Sequence, residues 1–596
     1  MKPALDWLDS RTGYKRLLHE TLFENVPGGA RWRYVWGSTL AFCFVIQVIT
    51  GCFLWLAYSP SSQTAWESVY YIQHEMWGGW FLRGLHHYTA HAMTVLLVVH
   101  LMQVVIDGAY KAPREFNFWS GIVLLLLVLS LSLTGYLLPW DQKGYWATKV
   151  ATNIAAITPV VGPELQKAVI GGSDYGHHTL TRFFALHAGI IPGCIILFIV
   201  GHVYLFRKHG LTPKLPRRRP DAAFWPDQVL RDAVACLAVL GVVLFLVFRY
   251  HGAELGAPAD PSEQFSAARP EWYFLFLFEL LKYFPGGTEV WGAIVIPGLL
   301  MAVLTAMPFI ANWKLGHRFN VMYLWCMLAG VGVLTALAWK ADRSDPEYAR
   351  AVQAARRDAD RVVELARSPD GIPVTGAVTL LRNDPLTQGP KIFAKNCASC
   401  HRFDGHDGLG GQPKDKPSAA DLKGFASRAW LTGLLDPEKV ATAHYFGATK
   451  FADGKMVKYV QEDIAGFNAE DKQALQKAIA ALSAEARLKA QRDLDRRDEA
   501  LIEEGTKALI GSRLGCMECH KFHDDGEENA PDLTGYGSRE WLVAFISNPA
   551  HERFYGDRND RMPAYLEEKS LSSQEIGLVA DWLRGEWYTP APTAAQ

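Results

Sequence analysis

Seven apolar runs, each near twenty residues long, recur through the first 340 residues of this 596-residue chain: Tyr34–Tyr58, Leu82–Ile106, Phe118–Leu138, Phe183–Leu205, Val229–Phe248, Val290–Ile310 and Val321–Trp339. A helix rising 1.5 Å per residue needs ~20 residues to cross a ~30 Å hydrocarbon layer, and each run has about that length. The core of a soluble protein does not call for seven such segments in succession. The runs therefore predict an all-α chain that begins as a seven-helix transmembrane bundle. The formal net charge of −1 hides a division of the chain: 26 of its 60 Lys and Arg and 20 of its 61 Asp and Glu lie in residues 1–340, a net of +6, which leaves −7 for residues 341–596. A hydrophobic fraction of 49% excludes a disordered chain, and the length excludes a small disulfide-stapled fold. The apolar runs point to membrane lipids as partners, and no nucleic acid is expected.

The connections carry the orientation. Lys and Arg number 17 in the N-terminal segment to Arg33 and the 107–117, 207–231 and 311–320 connections, against 5 in the 58–82, 141–181 and 250–289 connections. By the positive-inside rule the N-terminus is cytoplasmic, and seven crossings bring residue 341 to the opposite, positive face. A bacterial inner (cytoplasmic) membrane, with the C-terminal part periplasmic, is the expected location. No cleavable signal peptide is visible in Met1–Arg31, and this topology needs none.

Ionisable residues at membrane depth are functional by default. The second run holds His86 and His100, 14 residues apart, and the fourth holds His187 and His202, 15 apart. At 100° per residue each pair returns to nearly the same helix face, ~21–22 Å apart along the axis. Antiparallel packing sets His86 opposite His187 and His100 opposite His202, the ligand sets of two six-coordinate haems stacked across the membrane. Gly37 and Gly51 in the first run and Gly121 and Gly135 in the third repeat the 14-residue interval, leaving room for a flat macrocycle. His87 and His91 have no counterparts in the fourth run and are read as packing or polar-contact residues.

These pairs stand within four further strings: Arg83-Gly-Leu-His86, Thr134-Gly-Tyr-Leu-Leu-Pro-Trp140, Arg182-Phe-Phe-Ala-Leu-His187 and Pro270-Glu-Trp-Tyr273. On them, residues from about 5 to 340 resemble the cytochrome b of the cytochrome bc family, the quinol–cytochrome c oxidoreductases. The 15-residue spacing in the fourth run and Pro139-Trp-Asp-Gln142 look like the chloroplast type, whereas the mitochondrial type has 14 there and an eighth helix. Chloroplast-type complexes divide this region between two chains; here a four-helix haem-binding part (1–215) and a three-helix part (216–340) are continuous.

The resemblance implies roles. Pro270-Glu271-Trp272-Tyr273 matches the signature of the quinol-oxidising site at the positive face. A carboxylate at the mouth of an apolar pocket suits a proton acceptor, because desolvation raises its pKa. Glu271 is the candidate acceptor of one quinol proton, the other going to a histidine of a separate Rieske iron–sulfur protein; the plainer alternative is a solvated interfacial carboxylate. Tyr273 belongs to the same signature, and Tyr145 and Ala147 fall where the family shapes the pocket. Phe278 replaces a tyrosine of mitochondrial relatives. On the cytoplasmic side Arg207 and Asp232 fall in the quinone-reducing region, with helix capping as the alternative for Asp232. Arg83 and Arg114 match arginines near the haem propionates, with surface snorkelling as the alternative. Val35 occupies the position of a chloroplast-type cysteine that carries an extra haem. Valine forms no thioether, so no additional covalent haem is expected in the membrane part, and Cys43 and Cys52 are read as packing residues.

After residue 340 the composition turns polar. A charged helix and Pro/Gly-bearing connector (341–385) precede Cys397-Ala-Ser-Cys400-His401, and Cys516-Met-Glu-Cys519-His520 follows 119 residues later. Two cysteines three apart fit the two vinyl groups of a covalent c-type haem, and the adjacent histidine is its proximal ligand. The two stretches (386–485 and 486–596) repeat each other around Asp421-Leu-Lys-Gly-Phe-Ala-Ser-Arg-Ala-Trp430-Leu and Asp532-Leu-Thr-Gly-Tyr-Gly-Ser-Arg-Glu-Trp541-Leu, and both resemble class I cytochromes c. That resemblance implies a later methionine as distal ligand. Met456 follows His401 by 55 residues and Met562 follows His520 by 42, giving the pairs His401/Met456 and His520/Met562, with His444 as a rival to Met456.

The combined expectation is a cytochrome b/cc subunit of a quinol:cytochrome c oxidoreductase with two b-type and two c-type haems. It would couple quinol oxidation at the positive side to quinone reduction at the cytoplasmic side and to proton translocation. Its partners would be a Rieske protein, a cytochrome c or terminal oxidase, and a second copy in a homodimer. The rival reading is a multihaem membrane conduit or anchor without quinol bifurcation, for which the Pro270–Tyr273 pocket has no use.

Overall fold

The computed structural model describes residues 2–212 and 220–590, so part of the basic 207–231 connection lies outside the described residues. The chain divides into two compact units, Met1–Val363 with Ile372–Val378, and Glu364–Gly371 with Thr379–Gln596. Among the described residues seven helices are long and apolar enough to cross a membrane: α1 (Trp32–Trp55), α2 (Gly79–Ile106), α3 (Glu115–Tyr136), α4 (His177–His209), α5 (Asp227–Tyr250), α6 (Trp291–Ile310) and α7 (Gly316–Ser344). Many of their large apolar side chains, among them Val45, Phe53, Leu197, Val200, Leu237 and Phe245, remain exposed, as a lipid-facing surface requires.

Within the first unit α1 packs on α2, α3 on α4, and α5 against both α1 and α2; α6 and α7 pack together, and α7 also reaches α2. Cys43, Phe44, Met93, Leu96, Val128, Ile191 and Ile195 form the buried centre of the α1–α4 group. Cys43 is buried there, but Cys52 is exposed. Nine residues at 100° each place the two on opposite faces of α1, so only Cys43 has the packing role expected of both. α4 and α6 each contain one wide turn, Leu186–Ile190 and Trp291–Val295, two residues before Pro192 and Pro297. Proline lacks the N–H its helix needs and crowds the preceding turn, which widens in response. α7 runs past residue 340 to Ser344, and the charged helix α8 (Pro346–Ala366) follows almost at once. The compact first unit therefore extends beyond the expected boundary at 340.

Among its described residues the second unit has six main helices: α9 (Pro385–Asn396), α10 (Arg428–Leu434), α11 (Ala469–Glu485), α12 (Glu499–Ile510), α13 (Arg539–Ser547) and α14 (Ser573–Arg584). Their starts are written locally. Asp384, Ser427, Asn468, Ser538 and Ser572 each accept a hydrogen bond from a first-turn backbone N–H, and Glu575 completes a capping box on Ser572. The repeats are not self-contained. α9, which opens the first, packs on α14, which closes the second; α12, which opens the second, packs on α11, which closes the first. Glycine permits both crossings: a Cβ on Gly389 would lie 2.2 Å from Trp582 Cβ, and one on Gly505 2.0 Å from the Lys477 carbonyl oxygen. One continuous apolar core runs through both repeats.

Trp582 is 5% exposed, with its ring 4.3 Å from that of Phe403 and 5.4 Å from that of Phe393. Trp582→Ala is expected to destabilise the second unit by ~3–5 kcal/mol, read from the denaturant midpoint followed through haem absorbance.

Candidate functional site

The four membrane histidines meet the four glycines. A Cβ on Gly51 would stand 3.4 Å from His86 Cε1, on Gly37 3.6 Å from His100, on Gly121 3.3 Å from His202 and on Gly135 only 2.5 Å from His187. The His86 and His187 rings approach edge-on, with centroids 6.2 Å apart and planes inclined at 69°, spacing that admits one metal ion between them. Hydroxyls hold the outer ring nitrogens: Thr50 Oγ1 lies 2.8 Å from His86 Nδ1, Ser120 Oγ 2.8 Å from His202 Nδ1, and Thr134 Oγ1 3.3 Å from His187 Nδ1, which also approaches the Leu131 carbonyl at 3.1 Å. Such partners fix ring orientation and leave Nε2 for a metal. His100 Nδ1 is buried without a hydrogen-bond partner among the described residues. Opposed imidazoles on small-residue seams fit two bis-histidine haems. The supporting hydroxyls were missed from the sequence, although three of the four glycines advertise them as Thr50-Gly51, Ser120-Gly121 and Thr134-Gly135.

Glu271 lies between two basic groups, its carboxylate 3.6 Å from Lys143 Nζ and 3.9 Å from His91 Nε2, with the side chain 12% exposed. The Trp272 indole N–H donates to His91 Nδ1 at 2.9 Å. His91 is thus a polar-contact residue of the Pro270–Tyr273 string, and Tyr273 places its ring 5.7 Å from it. The string is anchored from behind. Arg269 donates to Asp342 at 2.8 and 2.9 Å and lies over the rings of Tyr348 and Phe278. Tyr145 is 1% exposed, and its ring neighbours are Trp140, Trp146 and Tyr175, a packing position within the wall on the helix that also carries Ala147. Burial pushes its phenol up to about 12.

Asp141 caps the helix Gln142–Ala156 and binds the backbone N–H groups of Gly144 and Gly256 at 2.8 and 3.0 Å. Burial raises its pKa, and those two hydrogen bonds oppose the rise. Around it the segments zip together, Gln142 N to Ala257 O at 2.8 Å and Ala259 N to Trp140 O at 2.9 Å. Arg83 donates to Gln73 and to the carbonyls of Ala253 and Glu254 of the same loop. Arg114 donates to the carbonyls of His209 and Gly210, closing the end of α4. Both arginines are tied to backbone and not snorkelling.

At the other end Asp232 is buried and accepts from Ser38 Oγ at 2.9 Å and Gln228 Nε2 at 2.8 Å. It sits in the second turn of α5, so the capping alternative does not apply. Arg207 is held elsewhere, by Thr21, the Glu20 carbonyl and Glu24.

In the second unit His401 Nδ1 lies 2.8 Å from the Ala420 carbonyl, and His520 Nδ1 2.8 Å from that of Pro531. Carbonyl acceptors require the Nδ1–H tautomer and leave Nε2 as the ligand atom. Burial lowers both imidazole pKa values, favouring the neutral, metal-binding form. Burial also raises the Cys397 thiol to about 12 and the Cys516 thiol to about 11, while Cys400 and Cys519 are half-buried. Met456 and Met562 pack partly buried against the common core. His444 is 44% exposed, with Nδ1 4.0 Å from the Asp421 carboxylate. Tyr459 and Tyr565, each three residues after a methionine, were missed: their hydroxyls donate to Leu514 O at 2.5 Å and Asn396 O at 2.7 Å.

Opposed membrane histidines and two Cys-x-x-Cys-His strings define a membrane haem protein that joins b-type and c-type elements. The family model described as cytochrome b/b6/petB matches residues 24–210, cytochrome b(C-terminal)/b6/petD matches 258–354, and cytochrome c matches 386–479. The chain belongs to the cytochrome b/b6 family and carries a cytochrome c domain in its C-terminal part. It is 32% identical to cytochrome b of Rhodobacter capsulatus over 318 residues, 51% of this chain and 72% of that protein. It is 36% identical to cytochrome b6 of Synechococcus elongatus, over 36% of this chain and all of that one. With the menaquinol:cytochrome c reductase cytochrome b subunit of Bacillus subtilis the identity is 38%, over 35% and 97% of the two chains. Among solved structures it resembles a chain of a hyperthermophilic respiratory Complex III, with TM-score 0.50 and 28% identity over 60% of this chain and 95% of that one.

Gly135→Val is expected to eliminate the b-type haem absorbance contributed by the His86/His187 pair while the His100/His202 pair keeps its own, measured by redox-resolved difference spectra of membranes.

Proposed function

We propose that the chain is the cytochrome b/cc subunit of a quinol:cytochrome c oxidoreductase that oxidises quinol beside Glu271 and reduces quinone near Asp232. The observation that carries this reading is the placement of Glu271: a mostly buried carboxylate at the Pro270–Tyr273 string, flanked by Lys143 and His91. A passive electron conduit has no use for such a group.

The surrounding residues prepare Glu271 as a base. Trp272 donates to His91 Nδ1, which places the proton of the neutral imidazole on Nε2, the nitrogen facing Glu271. The Lys143 ammonium and that N–H both face the Glu271 carboxylate, the candidate acceptor of a quinol hydroxyl proton. Release of the proton follows toward the half-exposed Lys143 side. Haem bound at the four histidine positions and the two Cys-x-x-Cys-His strings supplies one-electron transfer. At the cytoplasmic side Asp232, held by Ser38 and Gln228, is the proposed donor of a proton to reduced quinone, and Arg207, held by Thr21, Glu20 and Glu24, is the second residue assigned to that side. Arg83 and Arg114, held by backbone carbonyls, are the arginines assigned to the neighbourhood of the haem propionates. Two electrons taking separate routes, one through the membrane haems and one outward, couple turnover to proton translocation.

The outward route needs an iron–sulfur acceptor. We assign that acceptor to a separate Rieske protein, since the nine cysteines of this sequence are divided between membrane helices and the Cys-x-x-Cys-His strings. The C-terminal unit would stand on the positive side of a bacterial inner membrane and pass electrons to a cytochrome c or terminal oxidase; the functional form would be a homodimer.

Glu271→Gln is expected to lower quinol turnover by roughly 10²-fold with haem content unchanged, measured as steady-state quinol oxidation by the purified complex; full activity would refute the assignment. A pyridine haemochrome assay is expected to return b and c haems in a 2:2 ratio. A third covalent haem would contradict the reading of Val35.

A further inference from the structure

We propose that the two c-type haem sites are exchanged between the repeats: the attachment string Cys397–His401 takes Met562 as its distal ligand, and Cys516–His520 takes Met456. The inference rests on the reading of both strings as c-haem attachment sites, and it reverses the pairing that sequence order suggests.

Each methionine loop is fastened to the attachment string of the other repeat. In Met562-Pro-Ala-Tyr565 the tyrosine hydroxyl donates to the carbonyl of Asn396, the residue before Cys397, and it stands against the Cys397 sulfur. In Met456-Val-Lys-Tyr459 the hydroxyl donates to the carbonyl of Leu514, two residues before Cys516, and touches the Cys516 sulfur. Three residues of chain span at most ~10 Å, so each anchor ties its methionine loop to the attachment string of the other repeat.

The helices agree. The opening helix of each repeat packs on the closing helix of the other, α9 on α14 and α12 on α11. The first closure carries Trp582 of α14 onto Phe403 and Phe393, which flank Cys397–His401. Gln574 Nε2 of α14 donates to Asn383 Oδ1, just ahead of α9, at 2.6 Å. The second closure is bound by Lys477–Glu504 at 2.6 Å and by Arg513 on Glu470 and Asp471 at 2.9 and 2.6 Å.

The point of exchange is visible. On the proximal side each repeat keeps to itself: His401 meets Ala420 and Leu422 N bonds Arg402 O, while His520 meets Pro531 and Leu533 N bonds Lys521 O. Immediately afterwards the chains cross, where Ala426 (φ +61°) meets Gly537 (φ +73°) so closely that a Cβ on Gly537 would lie 2.2 Å from Ala426 Cβ. Phe425 lies 5.3 Å from Tyr536 across the same point. Beyond it the two methionine loops approach each other, with Phe451 stacked on Tyr555 at 5.7 Å and Lys450 3.5 Å from Asp560. Neither repeat then holds a complete haem pocket.

The test uses the full-length chain in its purified complex, with covalent haem counted first; a count of zero would overturn the underlying assignment of the strings, a result separate from the pairing. With Cys516→Ala and Cys519→Ala only the first haem is attached. In that background Met562→His is expected to abolish the methionine–ferric haem charge-transfer band and lower the potential, and Met456→His to leave both unchanged. The opposite pattern would overturn the exchange. A second measurement needs no haem deletion: Asn383→Cys with Gln574→Cys is expected to close an intrachain disulfide on mild oxidation. Free thiols at both positions would place the first helix against α11 and refute the proposal.

Discussion

Four close contacts between glycine and imidazole organise the membrane unit. At Gly37, Gly51, Gly121 and Gly135 a helix backbone comes within van der Waals reach of a histidine ring on its neighbour, with hypothetical Cβ distances of 2.5 to 3.6 Å. A larger side chain at any of them would push helices apart or turn a ring away. The contacts therefore fix the spacing of α1 to α2 and of α3 to α4 together with the orientation of the rings. Hydroxyls one residue before three of these glycines then bond the outer nitrogens, so a single dipeptide both admits the ring and orients it. His100 is the exception: Trp36 precedes its glycine, and its Nδ1 has no partner among the described residues. The two levels of the bundle are therefore chemically unequal, one with both rings supported and one with a single supported ring. Hydrogen bonding at Nδ1 raises ligand basicity, so under the proposed reading haems bound at the two levels would differ in potential.

The carboxylate pocket depends on a second constraint, the pairing of residues 140–142 with 257–259. The two family models meet this chain on either side of that loop, at 24–210 and 258–354, and the backbone bonds from Trp140 and Gln142 join them. Asp141 binds one N–H from each side, and Arg83 on the haem-bearing helix reaches two carbonyls of the same loop. Continuity of the chain keeps the two parts together, but these bonds fix where Glu271 stands relative to α2. The His91–Trp272 bond is the direct expression of that register.

The features legible in the sequence were those that periodicity or covalent chemistry writes into one segment. The seven spans followed from apolar length, the histidine pairs from the 14- and 15-residue intervals, and the attachment strings from their cysteines. Contacts between segments were far less legible. Nothing within α2 distinguishes His91 from a packing or polar-contact residue, because its partner Trp272 lies 181 residues later. Cys52 was read like Cys43 although helical phase alone separates them. Tyr459 and Tyr565 stand at the same offset from Met456 and Met562, a repeat that the sequence contains and that acquires meaning only when each hydroxyl is seen on the other repeat.

That last point shows why sequence order is a poor guide inside a tandem repeat. Two homologous halves present each terminal helix with two nearly equivalent partners, its own and its neighbour's. Intrinsic affinity hardly distinguishes them, so the connecting segments decide. Here the crossing at Ala426 and Gly537 uses two residues in the left-handed region, one of them carrying a Cβ, in the stretch that repeats as Gly-Phe-Ala-Ser and Gly-Tyr-Gly-Ser. The glycine in the second copy makes room for the alanine of the first, an asymmetry with no purpose if the segments never meet. Exchange buries the crossing residues in a single core and makes each attachment string dependent on the fold of both repeats. A tandem built this way cannot lose one half and keep a working site in the other, which binds its two redox centres into one structural unit.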